Sequence, residues 1–314
     1  MTRILVTGAF GNLGPMVIEE AGRQGYGLVA ADLDSARNRR VARRYGLEAN
    51  ALWGDIRELD FDAVLRDIDA IVHLAAVLPP TTENAPDLAY RINVGATTRL
   101  IESLERAASR AVLVYPSSVT VYGPPIDRQR LHGSDDPTRA TDNYSAHKLE
   151  VEQRLAQSDL DWIVLRVGVS VDARTLGADS ATMRTLVGVS AENPLEYVHP
   201  RDVALAMVNA IRCSQAKRKT LLVGGGERCR VTHHEFLSTA IEALGIELPR
   251  ELRGNAPYYT CWMDTAEAQA LLDFQRHSFA DYRDEMHRRL RWARRVLTPF
   301  RPAARWALRR VLHH

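Results

Sequence analysis

Apolar runs of strand length alternate with amphipathic segments along the first 125 residues of the chain. Strands are predicted at 3–7, 26–34, 47–56, 69–77 and 110–119. Between the last two strands, residues 88–109 carry apolar positions at helical spacing. Regular alternation with short connections is typical of a parallel, doubly wound sheet with helices on both faces.

The pattern continues with two more strands and one more helix. The strands are predicted at 160–168 and 219–226, and an amphipathic helix at 262–282. The predicted fold is therefore α/β, a Rossmann-type doubly wound parallel sheet with a small, discontinuous C-terminal substrate lobe. We expect a dinucleotide-binding domain over 1–165 that is completed by about 196–225, a lobe from 167–195 and 227–287, and a basic amphipathic tail over 288–314.

Three glycines, Gly8, Gly11 and Gly14, lie between the first strand and the helix that follows it. A glycine turn lets the backbone approach a ligand closely, and the free N–H groups of the next helix favour a phosphate. The dinucleotide fingerprint also needs an acidic residue about 20 residues further on, and Asp32 at the end of the second strand meets that requirement. The segment therefore predicts a pyrophosphate cradle.

The acidic residues at the strand ends predict which dinucleotide binds. The Asp32 carboxylate can accept hydrogen bonds from both ribose hydroxyls and would repel a 2′-phosphate, which favours NAD. The arginine-rich segment 37–40 could receive that phosphate, so NADP remains an alternative. Asp55, next to Ile56 at the third strand's end, is expected at the adenine edge, although a solvated loop position is the alternative for either aspartate.

A tyrosine and a lysine lie on one face of a predicted helix. Tyr144 and Lys148 are four residues apart, which stacks their side chains. A lysine and a positive nicotinamide ring stabilise a phenolate, so the tyrosine could exchange a proton with a substrate oxygen while a hydride moves. Upstream, a strand ends at Ser117 and Ser118. We expect Ser118 to hold the substrate oxygen, and Ser117 to be a polar strand end.

Composition narrows the class of protein. Hydrophobic residues make up 46% and charged residues 25% of the chain, which is ordinary for a globular protein. We expect neither a secretory signal nor a membrane span of roughly 20 apolar residues. Cys213, Cys229 and Cys261 follow no CxxC spacing, which predicts reduced thiols in a cytoplasmic protein. His233 and His234 lack a partner at ligand spacing, so we predict no metal site.

The tail differs in charge from the rest of the chain. The net charge is +2, but residues 288–314 hold nine arginines and no acidic residue, so the remaining body is acidic and does not predict nucleic-acid binding. Apolar positions recur there at helical spacing beside Trp292 and Trp306, and Pro299 and Pro302 divide the run into two helices. This strip predicts peripheral contact with an anionic membrane. The alternative is a helix packed on the body or on a second subunit.

The motifs together resemble a known family. They are TGAFGNLG (7–14), Asp32, HLAA (73–76), Asn93, SSVTVYG (117–123) and YSAHK (144–148). From residue 3 to about 245 the chain resembles the extended short-chain dehydrogenase/reductase family of the NAD-dependent epimerase/dehydratase type, in a branch whose substrates are uncharacterised. The resemblance implies that Tyr144 is the acid/base, that Lys148 holds the nicotinamide ribose and that Ser118 orients the substrate. It implies a cofactor site formed by Gly8, Gly11, Asn12, Leu13, Gly14, Asp32, Asp55, Ile56, His73, Ala75, Ala76, Asn93, Tyr144 and Lys148.

Three functions follow from this resemblance. The first is an NAD-dependent oxidoreductase that transfers hydride at a secondary alcohol or ketone carbon of a small molecule. The others are a nucleotide-sugar epimerase or dehydratase with tightly held NAD, and a non-catalytic dinucleotide sensor. Sugar epimerases of the family commonly carry an Asn for the substrate diphosphate where this chain has Val169, which disfavours a nucleotide sugar. We expect a homodimer.

Overall fold

The computed structural model describes residues 1–171, 186–246 and 254–300. The strands of these ranges are β1 (Arg3–Thr7), β2 (Gly27–Asp32), β3 (Ala51–Trp53), β4 (Ala70–His73), β5 (Val112–Ser118), β6 (Leu131–His132), β7 (Trp162–Val167), β8 (Pro194–Glu196), β9 (Lys219–Val223), β10 (Arg230–Thr232) and β11 (Trp262–Met263). Seven of them form the central parallel sheet, in the order β3-β2-β1-β4-β5-β7-β9. The α/β, Rossmann-type fold predicted from the sequence is confirmed.

Helices cover both faces of this sheet. The α-helices of the described ranges are α1 (Gly14–Arg23), α2 (Ala36–Arg44), α3 (Phe61–Val64), α4 (Thr81–Asn84), α5 (Pro86–Tyr90), α6 (Thr97–Arg106), α7 (Asn143–Ala156), α8 (Pro200–Ala210), α9 (His233–Ala243), α10 (Ala266–Leu272) and α11 (Phe279–Leu297). Ile4 and Leu5 are fully buried in separate apolar clusters, because successive strand residues point to opposite faces. Val17 of α1 belongs to the first cluster, and Leu100 of α6 belongs to the second.

The position of β1 determines where a ligand can bind. Residues of β1 pair in parallel register with β2 on one side and with β4 on the other, so Ile4 faces both Leu28 and Ala70. The chain continues outward in opposite directions from this point. In open α/β sheets, such a reversal leaves a crevice at the carboxyl ends of the strands. The ends of β1, β2 and β4 therefore mark the expected site.

Three predicted elements differ in detail from the structure. The third strand is shorter than predicted, because residues 48–50 form a 3₁₀ turn before it. The helix predicted at 88–109 contains a π-helical segment at Arg91–Ala96 between α5 and α6. The single helix predicted at 262–282 is wrong, because α10 ends at Asp273 in a left-handed conformation (φ 43°) and Ser278 caps a new helix. A capping-box exchange with Asp281 fixes that second start.

Two small two-stranded sheets lie beyond the main one, an antiparallel pair β8–β10 and a parallel pair β6–β11. The buried Glu196 carboxylate of β8 accepts N–H groups from Gly226 (3.0 Å) and Met263 (2.8 Å), which ties these segments together. Next to them, Tyr282 and Met286 of α11 are buried in a separate apolar cluster.

The C-terminal helix does not change at the predicted boundary between lobe and tail. α11 continues through residues 287 and 288 and ends at Leu297, just before Pro299. The rest of the predicted tail, including Pro302 and Trp306, lies outside the described residues, as do 172–185 and 247–253 of the predicted lobe. Among the helices of the described ranges, none combines the length and the apolar character needed to cross a bilayer.

Candidate active site

A cleft of about 480 Å³ lies over the carboxyl ends of the central strands. It collects residues that are far apart in the sequence. Of the predicted site residues, those that line it are Gly8, Gly11, Asn12, Leu13, Asp32, Asp55, Ile56, Ala75, Ala76, Ser118, Tyr144 and Lys148. Apolar walls that the sequence did not single out include Leu33, Leu78, Ile92 and Val167. These walls come from loops, a strand end and the π-helical segment at Arg91–Ala96, whose orientation no periodic pattern indicates.

Two glycines of the turn are required by close backbone contacts. Gly8 has φ +61°, and a Cβ there would lie 2.8 Å from the backbone nitrogen of Ala75. A Cβ on Gly14 would lie only 2.2 Å from the carbonyl oxygen of Ala9. The glycines thus bring the turn and the start of α1 against β4, with the helix N-terminus facing the cleft. This cradle fits the pyrophosphate of a dinucleotide.

Asp32 lies beside this cradle, at the end of β2. Its carboxylate accepts hydrogen bonds from the backbone N–H groups of Phe10 (2.7 Å) and Leu33 (2.7 Å), and from the Asn38 side chain (3.1 Å). Burial raises the pKa of the Asp32 carboxyl, and the two backbone donors act in the opposite direction. The carboxylate is therefore fixed in place, with its position set by the glycine turn itself.

Two arginines of segment 37–40, Arg37 and Arg39, have partners of their own. Arg37 donates to the Phe10 carbonyl at 3.2 Å, beside the turn. Arg39 forms two hydrogen bonds with Asp34, the shorter at 2.6 Å, and its guanidinium lies over the Trp53 ring. Both side chains are thus already engaged near Asp32.

Three predicted cofactor residues, Gly14, His73 and Asn93, are not among the residues that line the cleft. His73 is buried, with its Nδ1 2.9 Å from the Thr7 hydroxyl and its Nε2 3.0 Å from the Thr97 hydroxyl. Thr97 donates its own proton to the Asn93 carbonyl, so the proton on the His73 ring lies on Nε2. Burial lowers the pKa of His73 to about 3. His73 therefore links the ends of β1 and β4 to α6 through these two hydrogen bonds and does not line the cleft.

Asn93 also acts from behind the cleft wall. Its side chain accepts from the backbone N–H of Val77 at 2.7 Å and donates to the carbonyl of the same residue at 2.9 Å. This pair of bonds holds the loop after β4 against the π-helical segment. The sequence could not show the orientation, because the partner is a backbone group of another element.

Ser118, Tyr144 and Lys148 meet on one side of the cleft. Ser118 Oγ accepts hydrogen bonds from the backbone N–H (3.2 Å) and the hydroxyl (3.0 Å) of Thr120, which leaves its own proton free to be donated. The Ser118 side chain also acts on Tyr144, whose pKa it lowers. Lys148 Nζ donates to the carbonyl of Pro116 at 2.7 Å and lies 5.6 Å from the centre of the Tyr144 ring.

Burial controls the charge states of this group. It raises the pKa of Tyr144 to about 12, an effect that Asp142 strengthens and the Ser118 side chain opposes. It lowers the pKa of Lys148 to about 8, against the opposing effect of Glu152. Without a bound ligand, the Tyr144 phenol is therefore neutral at pH 7, and the pKa of the neighbouring Lys148 lies only slightly above that pH.

The sequence analysis missed a polar network behind these residues. Ser117 donates to Glu152, and Glu152 pairs with Arg166, whose Nη2 lies 2.7 Å from the carboxylate. Glu152 follows Lys148 by four residues and Tyr144 by eight, a spacing that places all three on one helix face. That spacing was the available signal, because Glu152 otherwise resembles an ordinary solvated helix residue.

A second cluster of titratable groups, His199, Asp202 and His277, has donor atoms close enough for a metal ion. His199 caps α8 by accepting the N–H of Arg201 on Nδ1, so its Nε2 carries the proton that is directed at Glu285, 3.2 Å away. His277 Nδ1 lies 2.6 Å from Asp202. The ring nitrogens facing the carboxylates act as hydrogen-bond donors in this arrangement, which joins α8 to α11. His199 does not belong to the lining of the cleft.

The sheet order and the glycine turn define a Rossmann-type protein. Residues 4–171 match the model of the NAD dependent epimerase/dehydratase family, and the chain belongs to that family. A solved structure of UDP-glucose-4-epimerase from Stenotrophomonas maltophila, with bound NAD and formylated UDP-arabinopyranose, is similar in fold. Its TM-score is 0.74 at 23% identity, over 95% of this chain and 99% of that one.

Two curated relatives have different names. The chain is 29% identical over 227 residues to D-erythronate dehydrogenase of Cupriavidus necator, which covers 63% of this chain and 65% of that protein. It is 33% identical over 171 residues to methionine adenosyltransferase 2 subunit beta of Bos taurus, which covers 53% of this chain and 46% of that protein. The chain thus spans less than two thirds of the length of either relative.

The two glycines of α1 provide a matched test of the turn. Gly14→Ala is expected to destabilise the protein by about 1–3 kcal/mol or more, since its Cβ would overlap the carbonyl of Ala9. Gly22→Ala, in the same helix, meets no atom within 4 Å and is expected to stabilise by about 0.5–1 kcal/mol. Denaturant unfolding measures both changes, and equal effects of the two substitutions would contradict the role assigned to Gly14.

Proposed function

We propose that the protein is an NAD-dependent oxidoreductase that acts at a secondary alcohol or ketone carbon of a small molecule. The observation that carries this proposal is the presence of Ser118, Tyr144 and Lys148 in the same cleft as Gly8 and Asp32. A proton shuttle and a dinucleotide cradle in one crevice are the two parts that hydride transfer requires. Membership of the family supports the same function.

The side chains of the cleft have separate tasks in this mechanism. NAD, when bound, supplies the carbon that accepts or donates the hydride. Tyr144 exchanges its hydroxyl proton with the substrate oxygen, and Ser118 donates a hydrogen bond to that oxygen. A neutral Tyr144 is ready to donate in the direction of reduction, because its pKa is about 12 in the protein alone. For oxidation the phenolate must form, and the nearby Lys148 ammonium stabilises it.

A dehydrogenase is preferred to the two alternatives. Val169 offers no polar group where a substrate diphosphate would be held, and the similarity to D-erythronate dehydrogenase extends over 63% of the chain. The fold similarity to an epimerase with bound NAD supports the alternative of a nucleotide-sugar epimerase. The presence of Ser118, Tyr144 and Lys148 together in the cleft argues against a non-catalytic sensor, which has no use for a proton shuttle. NAD that remains bound through gel filtration would favour the epimerase.

The hydroxyl of Tyr144 allows a direct test of the proton shuttle. Tyr144→Phe keeps the ring and removes the proton, so turnover is expected to fall about 10²–10⁴-fold while NAD affinity stays nearly unchanged. Tyr90→Phe is the matched control, because its exposed hydroxyl contacts Glu150 outside the cleft. Hydride exchange with a panel of secondary alcohols, sugar acids and nucleotide sugars supplies the assay. Full activity of Tyr144→Phe on the substrate so found would contradict the mechanism.

The choice of dinucleotide is tested at Asp32. NAD is expected to bind more tightly than NADP, because the fixed carboxylate repels a 2′-phosphate. Asp32→Asn removes the charge at nearly the same shape and is expected to reduce the preference. Titration with both cofactors, followed by protein fluorescence, measures the ratio. NADP binding about tenfold tighter than NAD to the wild-type protein would show that the arginines of segment 37–40 decide the preference.

We also propose that the exposed end of α11 binds an anionic membrane surface. In the first half of this helix Tyr282 and Met286 are buried. In its second half Trp292 is 73% exposed and Val296 is 48% exposed. Several arginines surround these two apolar side chains, and residues 288–314 contain no acid to neutralise them. Arginine with exposed tryptophan on one helix suits the phosphate level of a bilayer.

Charge reversal tests this surface without removing the helix. The triple variant Arg291→Glu, Arg294→Glu and Arg295→Glu is expected to reduce binding to phosphatidylglycerol vesicles about a hundredfold at low salt, at about 1 kcal/mol per arginine. Arg66→Glu with Arg110→Glu, on the exposed body, is the control and should change binding little. A wild-type protein that does not bind such vesicles would contradict the proposal. If light scattering then shows a dimer that the triple variant disrupts, a second subunit covers this helix instead.

A further inference from the structure

A buried ion pair lies directly behind the cleft. Glu152 of α7 and Arg166 of β7 each expose only 8% of their side chains, and Arg166 Nη2 lies 2.7 Å from the carboxylate. Arg166 also donates to the hydroxyl of Tyr122 and to the carbonyl of Ser134, each at 2.8 Å. Ser117, at the end of β5, donates to the same Glu152 carboxylate. The pair thus joins β5, α7 and β7.

Stability alone does not account for this pair. Two charges removed from water lose hydration, and a buried ion pair is often no more stable than apolar side chains of the same volume. The position of the Glu152 carboxylate suggests a further role. Glu152 is one helical turn beyond Lys148 and two turns beyond Tyr144, on the same face of α7. The network therefore places a fixed negative charge next to the candidate catalytic group.

The buried position of Lys148 favours its neutral form, so a nearby negative charge is required to keep it protonated. Lys148 is 5% exposed, its Nζ donates to the carbonyl of Pro116, and the Tyr115 ring lies 4.5 Å away. Burial of this kind favours the neutral amine, and it lowers the pKa of Lys148 to about 8. Glu152 acts in the opposite direction and raises that pKa.

Asp142, at the start of α7, raises the pKa of Tyr144, but Glu152 is the carboxylate that acts on the pKa of Lys148. The remaining titratable groups around the lysine supply no negative charge. His73 of β4 and His147 of α7 both have a lowered pKa because of burial, and both are neutral at pH 7. The phenols of Tyr115 and Tyr144 have a raised pKa and are neutral as well. Arg166 is positive and bonded to Glu152. Within the described part of the chain, the charge that favours the Lys148 ammonium is therefore that of Glu152.

We propose that Glu152 is a positioning residue of the active site, whose carboxylate, held by Arg166 and Ser117, keeps the Lys148 ammonium protonated inside the apolar wall of the cleft. This inference deepens the proposed function and rests on it, since Lys148 is the group assigned to the nicotinamide ribose and to the Tyr144 phenolate. A neutral amine would lose its charge stabilisation of the phenolate. The bond from Ser117 also anchors the strand end that carries Ser118.

The composition of the chain makes this proposal directly measurable. It contains only three lysines, Lys148, Lys217 and Lys219. Lys217 pairs with Asp161 and Lys219 with Glu267, at the surface. In the full chain labelled with ¹³C-lysine, the side-chain resonances of all three report their titration by NMR. The two surface lysines are internal controls in each spectrum.

The expected result is a change confined to one lysine. Glu152→Gln removes the negative charge and leaves Arg166 positive, and both effects disfavour the ammonium. The titration midpoint of Lys148 is therefore expected to fall by about one pH unit or more, while the other two midpoints stay unchanged. Glu150→Gln, an exposed position two residues away, is the matched control and should leave all three unchanged.

A second variant keeps the test decisive if Glu152→Gln does not fold. Glu152→Gln combined with Arg166→Gln removes both buried charges, so no unpaired guanidinium remains, and a smaller fall of the Lys148 midpoint is expected. A midpoint equal to that of the wild-type protein, in a folded variant that lacks the Glu152 charge, would overturn the proposal.

The cofactor supplies an independent readout. NAD affinity is expected to fall as the pH rises through the Lys148 midpoint. Because that midpoint is lower in Glu152→Gln, the fall should begin at a lower pH in this variant than in the wild-type protein. If the wild-type protein binds no NAD at all, the proposed function fails. The lysine titration does not depend on NAD, so it still decides whether Glu152 maintains the charge of Lys148.

Discussion

The close contact between the glycine turn and its neighbours is the constraint on which the cleft depends. A Cβ at Gly8 or Gly14 would overlap the backbone of Ala75 or Ala9. Because both side chains are absent, α1 begins directly at the ends of β1 and β4. The turn N–H of Phe10 then reaches Asp32 and fixes the carboxylate of the neighbouring strand. Backbone contact therefore sets the position of the cradle before any ligand enters.

The sequence predicted most of the fold because strand length and alternation are local properties. All seven strands of the main sheet were expected, and their parallel order follows from the helices between them. The break at Asp273 was missed because residues 262–282 are amphipathic throughout. It depends on a left-handed residue and on the Ser278 cap, and neither changes the apolar period. The π-helical segment before α6 has no periodic signature either.

The candidate site was predictable where a motif carries its own geometry, and less so elsewhere. Tyr144 and Lys148 lie four apart on a helix, so their juxtaposition follows from the sequence. His73 and Asn93 do not line the cleft, because their side chains bond to Thr97 and Val77, which come from other elements. Glu152 was missed for a similar reason: only the approach of Arg166 from β7 distinguishes it from a solvated helix residue.

The continuity of α11 has a mechanical consequence. The helix of about 28 Å is anchored at Tyr282 and Met286 and continues without a break to Leu297. Such a helix transmits orientation, because sharp kinks arise at proline, at Gly/Ser pairs or at π-bulges, and Phe279–Leu297 contains neither proline nor glycine. Whatever surface holds Trp292 thereby also fixes the tilt of the buried segment to which the helix is anchored. A force on the exposed arginines at the end of α11 is therefore transmitted along the helix to the apolar cluster around Tyr282.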